Sequence, residues 1–72
     1  MKTRSPKPEK ALSSRELEIL SLLAEGLVKK EIAEHLDIAV TTVAYHIKHI
    51  YEKLEASNAP AAVAKGYKSG LL

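Results

Sequence analysis

The stretch VTTVAYHIKHIYEKL, Val40 to Leu54, has the pattern of a helix with two different faces. Its apolar residues recur at steps of four, three and four, which places them on one stripe of an α-helix. That stripe, predicted to be buried, comprises Val43, Ile47, Ile50 and Leu54. The opposite stripe comprises Thr41, Tyr45, Lys48 and Glu52, with Ala44 and His49 beside it. Hydroxyl, aromatic and amine groups on one exposed stripe can contact bases and phosphates, so the pattern favours a surface that binds a nucleic acid.

Length and composition limit what the rest of the chain can be. The 72 residues suffice for one domain, and residues 1–11 have the Pro, Lys and Ser content of a basic flexible tail or interdomain linker. A domain this short needs its apolar residues to form a single core, so no interior volume is left for a large substrate pocket. The chain has no cysteine, which excludes a disulfide framework and a thiolate zinc site and suits a cytoplasmic location. No apolar run is typical of a signal peptide or a membrane span, so no membrane partner is expected.

The net charge of +2 is unevenly distributed along the chain. Basic residues exceed acidic ones in 1–11 and in 38–72, whereas acidic residues exceed basic ones in 12–37. This distribution favours a module whose N-terminal half is scaffold and whose C-terminal half binds an anion. A charged run is, however, also typical of an ordinary solvated face.

Start and stop signals predict four helices. A capping box begins the first helix at about Ser14: the Ser13 hydroxyl can accept from the Glu16 amide, and the Glu16 side chain can accept from the Ser13 amide. Gly26 supplies the left-handed residue that ends this helix. The other helices are predicted at about 29–36, at about 40–54 and from about Ala59 to Gly70. Because no β alternation is present, the predicted fold class is all-α: a compact four-helix bundle in which the second and third helices form a helix-turn-helix.

The residues themselves resemble a known family. From Leu12 to Leu72 the chain is similar to the LuxR-type helix-turn-helix domains, also called the FixJ/NarL or GerE class. Matches in the first two helices and the turn after them include Leu12, Arg15, Glu16, Glu18, Leu20, Gly26, Lys30, Glu31, Ile32, Ala33, Leu36 and Ile38. Matches in the last two helices include Thr42, Val43, His46, Ile50, Lys53, Leu54, Asn58, Ala62, Val63 and Gly70. The resemblance is specific because both spacing and residue type agree over all four helices.

This resemblance implies the output domain of a bacterial transcription regulator, namely a response regulator of a two-component system, that binds double-stranded DNA sequence-specifically. Domains of this family usually follow a receiver or ligand-sensing domain, so residues 1–11 would be the end of a linker and residues 12–72 the DNA-binding domain. A second copy of the chain on DNA is an implied partner, and RNA polymerase is a further candidate. No cofactor is expected. An enzyme is not expected either, because Ser13 and Ser14 are cap residues without a base to activate them.

Several positions depart from the family pattern. Val28 and Ala39 stand where the family has serine before the second and third helices, and neither side chain can accept a hydrogen bond from the exposed amides. Ala44 replaces a lysine that in the family commonly meets DNA. Ala59 replaces an arginine that holds helices together or touches the DNA backbone. These departures predict a lower DNA affinity than is usual for the family.

With helix 40–54 placed in the major groove, three groups of residues acquire candidate roles. Base contacts are assigned to Tyr45, Lys48 and Ala44. Phosphate contacts are assigned to Lys29, Lys30, Thr41, Thr42, His49 and Lys53. A dimer interface is assigned to Ala62, Val63, Gly66 and Tyr67. Lysine prefers guanine N7 and O6, and a tyrosine ring can pack on a thymine methyl group. A solvated face remains the alternative for the polar stripe, and above all for Lys53, which points sideways.

Other interpretations of the same residues stay open. His46 and His49 lie three residues apart on one helix but lack a convincing third ligand, so a half-buried structural histidine is favoured over a metal site. A sigma-factor-like promoter-recognition domain would share the helix-turn-helix, and a protein-protein interaction module could use the Tyr45 and Lys48 face. The salt dependence of binding to random duplex separates a DNA-binding domain from the second of these alternatives.

Overall fold

The fold of residues 11–72, which are the part of the chain described by a computed structural model, consists of four helices. They are α1 (Ser14–Ala24), α2 (Lys29–Leu36), α3 (Val40–Leu54) and α4 (Ala59–Lys68). No strand occurs within residues 11–72, and none of these helices is long and apolar enough to cross a membrane. The predicted all-α fold class and the predicted helix starts are confirmed. The predicted tail or linker at 1–11 lies, apart from Ala11, outside the described residues.

Side-chain caps begin α1 and α4. At α1 the Ser13 hydroxyl accepts from the Glu16 amide at 3.2 Å, and Glu16 Oε1 accepts from the Ser13 amide at 2.9 Å. At α4 the Asn58 carbonyl oxygen accepts from the Ala61 amide at 2.8 Å. Each cap provides an acceptor for an amide that has no partner within its own helix, which fixes where the helix begins.

The two helices of the helix-turn-helix begin without such a cap. Val28 and Ala39 occupy the N-cap positions of α2 and α3 in an extended conformation, and neither side chain carries an acceptor. At α2 half of a capping box survives, because Glu31 Oε1 accepts from the Val28 amide at 2.8 Å. The other half, a side-chain acceptor at position 28, is missing.

Left-handed residues end the first three helices. Gly26 after α1 has φ 96°, Asp37 after α2 has φ 58°, and Glu55 after α3 has φ 54°. A left-handed residue ends a helix and changes the direction of the chain abruptly. The turn between α2 and α3 therefore needs only the three residues 37–39.

The core lies between α1, which packs against all three other helices, and α3, which does the same. It contains apolar side chains from every helix: Ile19, Leu20, Leu22, Ile32, Ala33, Val43, Ile47, Ile50 and Ala62. Three of the four residues predicted to form the buried stripe of α3 are in this list, and the fourth, Leu54, packs against its edge. The buried stripe therefore fixes the rotation of α3 about its axis and leaves the opposite stripe outside.

One charged residue lies in this interior. Glu16 is only 6% exposed, and the Lys53 ammonium on α3 donates to its Oε1 at 2.8 Å. Burial raises the pKa of Glu16, but the hydrogen bond and charge of Lys53 and the two hydrogen bonds from Ser13 outweigh burial, so the pKa lies below its ordinary value. The pair ties α1 to α3 by an interaction that depends on ionisation of Glu16.

The C-terminal residues fold back over α4. The amides of Leu71 and Leu72 donate to the Gly66 carbonyl oxygen at 2.8 and 3.2 Å. A Cβ on Gly66 would lie 2.9 Å from Leu72 Cδ1 and 3.0 Å from Leu20 Cδ2. Glycine at position 66 therefore allows the last residue of the chain to pack beside α1.

Candidate DNA-binding surface

The polar stripe of α3 faces solvent. Thr41, Tyr45, Lys48 and Glu52 are all exposed, whereas Ala44 and His49 beside them are half-buried. Tyr45, with 61% of its surface accessible, is the most prominent apolar group on this stripe. An exposed aromatic side chain one turn from a lysine gives α3 both an apolar contact and a cation for base edges.

The start of α2 lies alongside the middle of α3. Lys29, Ala44 and Lys48 line one shallow groove of about 550 Å³. Its other lining residues are Ile47, Tyr51, Glu52, Glu55, Ala56 and Ser57. The structure thus brings a predicted phosphate-contact residue next to two predicted base-contact residues. The sequence pattern assigned neither Tyr51 nor Ser57 to this surface, because Tyr51 falls between the two stripes of α3 and Ser57 lies in the turn before α4, where it was a candidate cap.

Thr41 and Thr42 lie exposed in the first turn of α3. The Ala39 side chain offers no acceptor to the amides of this turn. The N-terminal end of a helix carries partial positive charge and exposed N–H groups, both of which attract a phosphate. This end of α3 therefore has the chemistry of a phosphate contact, and the threonine hydroxyls can add to it.

Tyr45, His49 and Glu52 form a line of side chains along the same helix. The ring centroids of Tyr45 and His49 are 4.4 Å apart in an edge-to-face arrangement. His49 Nδ1 lies 3.6 Å from Glu52 Oε1. The Tyr45 ring also lies edge-on to His46, at a longer centroid distance of 5.8 Å. His49 is thus engaged from both sides by neighbours on α3.

The two remaining predicted phosphate-contact lysines differ in their surroundings. Lys30 is exposed at the start of α2. Lys53 is half-buried, and its ammonium is held by Glu16 on the inner side of α3. Lys53 therefore joins α3 to α1, and we exclude it from the proposed phosphate contacts.

The residues predicted for a dimer interface divide into two pairs. Ala62 is 0% exposed and Gly66 is buried under Leu72 and Leu20, so neither offers surface to a second copy. This corrects their assignment, because the small side chains make room for the chain's own core. Val63 is half-buried and Tyr67 is 62% exposed, and only these two can form part of an outer face of α4.

Comparison with known proteins supports the same interpretation. The family model described as "Bacterial regulatory proteins, luxR family" matches residues 10–65. Over 65 residues, or 90% of this chain, the sequence is 43% identical to the transcriptional regulatory protein LiaR of Bacillus subtilis (strain 168), covering 31% of that protein. Over the same length it is 48% identical to the oxygen regulatory protein NreC of Staphylococcus carnosus (strain TM300), covering 30% of it.

A solved structure gives the same result. The crystal structure of the response regulator ChrA of a heme-sensing two-component system superposes with a TM-score of 0.86 at 42% identity, over 92% of this chain and 33% of ChrA. The chain thus spans about a third of the length of the relatives that it matches. With its helix-turn-helix geometry and the family match over most of its length, the chain belongs to the luxR family of bacterial regulatory proteins as a helix-turn-helix DNA-binding domain.

Proposed function

We propose that this domain is the sequence-reading output module of a response regulator, with α3 lying in the major groove of double-stranded DNA. The observation that carries the proposal is the solvent-exposed polar stripe of α3, with Lys29 of α2 lining the same groove as Lys48 and the exposed Lys30 next to Lys29 in sequence. A helix embedded on one face and exposed on the other along its whole length fits the width of the major groove.

Within this proposal, one set of residues contacts the bases and selects the DNA sequence, and another set contacts the DNA backbone. Tyr45 and Lys48 contact base edges, and Ala44 lets a base pair approach α3 more closely than the family's lysine would. The first turn of α3 and the lysines at the start of α2 contact phosphates, which orient the domain without specifying sequence. The phosphate-contact residues are Lys29, Lys30, Thr41 and Thr42.

Pairing with a second copy on DNA is also part of the proposal. Val63 and Tyr67 on the outer face of α4 are its candidate contacts, since Tyr67 is exposed and Val63 lies one turn away. A contact with RNA polymerase is a further proposal, which rests on family membership alone.

A helix-turn-helix with this polar face is compatible with two other functions. Family membership favours the luxR-type regulator over a sigma-factor-like promoter-recognition domain. A protein-protein interaction module that uses the Tyr45 and Lys48 face predicts a different salt dependence, so the experiment below separates it from DNA binding.

The test is selection of bound sites from a random duplex pool by the 72-residue chain, followed by a salt titration with the selected duplex and with random duplex. We expect enrichment of a defined sequence, and a log-log slope of about −0.9 for each phosphate contacted. A pool that shows no enrichment, with no salt-dependent binding to either duplex, would contradict the proposal and leave the polar face for a protein partner.

A further inference from the structure

We propose that His49 is a positioning residue for sequence reading: its ring holds the Tyr45 ring in the orientation in which Tyr45 contacts a base. This inference rests on the proposed function, because it concerns how one of the proposed base-contact residues is prepared for DNA.

The geometry places Tyr45, His49 and Glu52 on one side of α3, at spacings of four and three residues. Such residues are neighbours on a helix surface. The Tyr45 and His49 rings meet edge to face at 4.4 Å between centroids, and the His49 Nδ1 atom lies 3.6 Å from Glu52 Oε1. His49 is half-buried, whereas Tyr45 and Glu52 are exposed, so the imidazole is the most confined member of the line.

Confinement of Tyr45 matters because an exposed side chain must give up rotamer freedom when it binds. Tyr45 is 61% exposed and therefore has little surrounding protein to restrict it. A ring contact made in the free domain removes part of that ordering cost before DNA arrives. An edge-to-face aromatic pair adds an attraction beyond the area that it buries, which is enough to favour one rotamer of Tyr45 over the others.

The same geometry argues against His49 as a phosphate contact. A phosphate approaching His49 would come close to the Glu52 carboxylate, whose negative charge repels it. The Tyr45 ring packs against the His49 imidazole, and the Glu52 carboxylate lies near the Nδ1 atom of that imidazole. His49 therefore acts through Tyr45 rather than on the DNA backbone.

The test compares two substitutions that remove or keep the ring, His49→Gln and His49→Phe, with binding measured on the selected duplex and on random duplex. We expect His49→Gln to weaken binding to the selected duplex about threefold to tenfold, in line with the strength of an aromatic pair. Binding to random duplex should change by less than about twofold, since phosphate contacts are untouched. His49→Phe should retain most of the affinity for the selected duplex because it keeps a ring in contact with Tyr45.

A double-mutant cycle with Tyr45→Ala shows whether the effect passes through Tyr45. In the Tyr45→Ala background, His49→Gln should cost little further affinity for the selected duplex, because no ring remains to be positioned. The Tyr45 ring-proton chemical shifts of the DNA-free chain should move in His49→Gln and stay closer to those of the unaltered chain in His49→Phe. His35→Gln, which removes an exposed histidine on α2, is the matched control and should change none of these quantities.

Four outcomes would overturn the inference. Equal losses on both duplexes with a flatter salt slope in His49→Gln would make His49 a phosphate contact. Additive losses with Tyr45→Ala would make its role independent of Tyr45. A loss for Tyr45→Ala with none for His49→Gln would leave Tyr45 as a base contact that needs no positioning. If Tyr45→Ala itself costs nothing at the selected site, the assignment of Tyr45 to base contact fails first and the inference fails with it.

Discussion

Tyr45 and Lys48 lie on the polar stripe of α3 and Lys30 lies exposed at the start of α2, and their proposed contacts carry different information. Base edges differ between sequences, whereas phosphates are the same in every duplex. The three residues are all exposed, so each can be removed without opening the core. Substitutions at these positions therefore separate sequence selection from general affinity.

Tyr45→Ala and Lys48→Ala are each expected to weaken binding to the selected duplex by about 1–3 kcal/mol, because each removes a contact to a base edge. Their effect on random duplex should be smaller. Titration by fluorescence anisotropy against both duplexes gives the two affinities, and circular dichroism shows whether the variants fold. If both substitutions leave the selected site bound as tightly as before, α3 is not the helix that selects sequence.

Lys30→Ala is expected to weaken binding to selected and random duplex about equally and to flatten the log-log salt slope by about one unit, as the loss of one phosphate contact does. Lys68→Ala, at an exposed position on α4, removes the same charge away from α2 and α3 and is the matched control. A loss confined to the selected duplex would instead place Lys30 on a base.

At the scale of single helices, the helix-turn-helix differs from the two helices that support it. α1 and α4 have a side-chain acceptor at the residue that precedes the helix, whereas α2 and α3 do not. Docking against α1 nevertheless positions α2 and α3, because most of the stability of a helix in a protein comes from burial of its apolar face. The missing caps therefore lower stability without changing where the helices begin.

Val28→Ser is expected to stabilise the domain by about 0.5–1.5 kcal/mol, because it adds an acceptor for the exposed amides of α2. Glu31 already accepts from the amide of residue 28, so the serine would complete the capping box. Val28 is 61% exposed, which means that little packing is lost. Urea unfolding measures the change.

Val28→Ala is the matched control for this substitution. It removes the valine without adding an acceptor, so the free energy of unfolding should stay close to that of the unaltered chain. Equal unfolding midpoints for the serine and alanine variants would show that the amides of α2 gain nothing from an acceptor at position 28.

For the molecule as a whole, one part-buried ion pair and one exposed face of α4 bear on stability and assembly. Glu16 and Lys53 join α1 to α3 across the core. Val63 and Tyr67 leave α4 with a small outer face. The free energy of unfolding should therefore depend on pH, and pairing of two copies should require DNA.

The free energy of unfolding is expected to fall as the pH drops below the ordinary range of a glutamate. Because the pKa of Glu16 is lowered in the folded state, its contribution is complete above the unfolded pKa and is lost as the pH falls through the folded pKa. Glu16→Gln should lower stability at neutral pH by about 1–3 kcal/mol, since a part-buried charge-assisted hydrogen bond is lost. The difference from the unaltered chain should shrink in acid.

Glu34→Gln, an exposed substitution on α2, is the control for the change in charge. Its urea-unfolding profile between neutral and acidic pH should run parallel to that of the unaltered chain. An acid profile of Glu16→Gln that also runs parallel would show that Glu16 contributes nothing to the pH dependence.

The chain alone is expected to be monomeric at micromolar concentration and to pair only on DNA. Stable interfaces bury about 1,200–2,000 Å² in total, and two side chains on one short helix supply far less. Sedimentation without DNA should give a monomer, whereas a duplex with two half-sites about one helical turn apart should bind two copies. Tyr67→Glu should reduce pairing on that duplex without unfolding the domain. A tight dimer in the absence of DNA would contradict this expectation.

By itself, the sequence determined the four helices, the rotation of α3 and the family. The starts of α1 and α4 are marked by the caps Ser13 and Asn58, whose hydrogen bonds reach only three residues along the chain. The two stripes of α3 follow from a repeat within four residues. These interactions join residues that are close in sequence, so the local sequence pattern is enough to predict them.

Only the tertiary structure decided which distant residues meet. Lys53 binds Glu16 across 37 residues of sequence, and Gly66 is covered by Leu20 and Leu72. Lys29 likewise comes beside Lys48 only because α2 docks against α3. The docking of the helices is set by the packing of the whole core at once, and no local pattern carries that information.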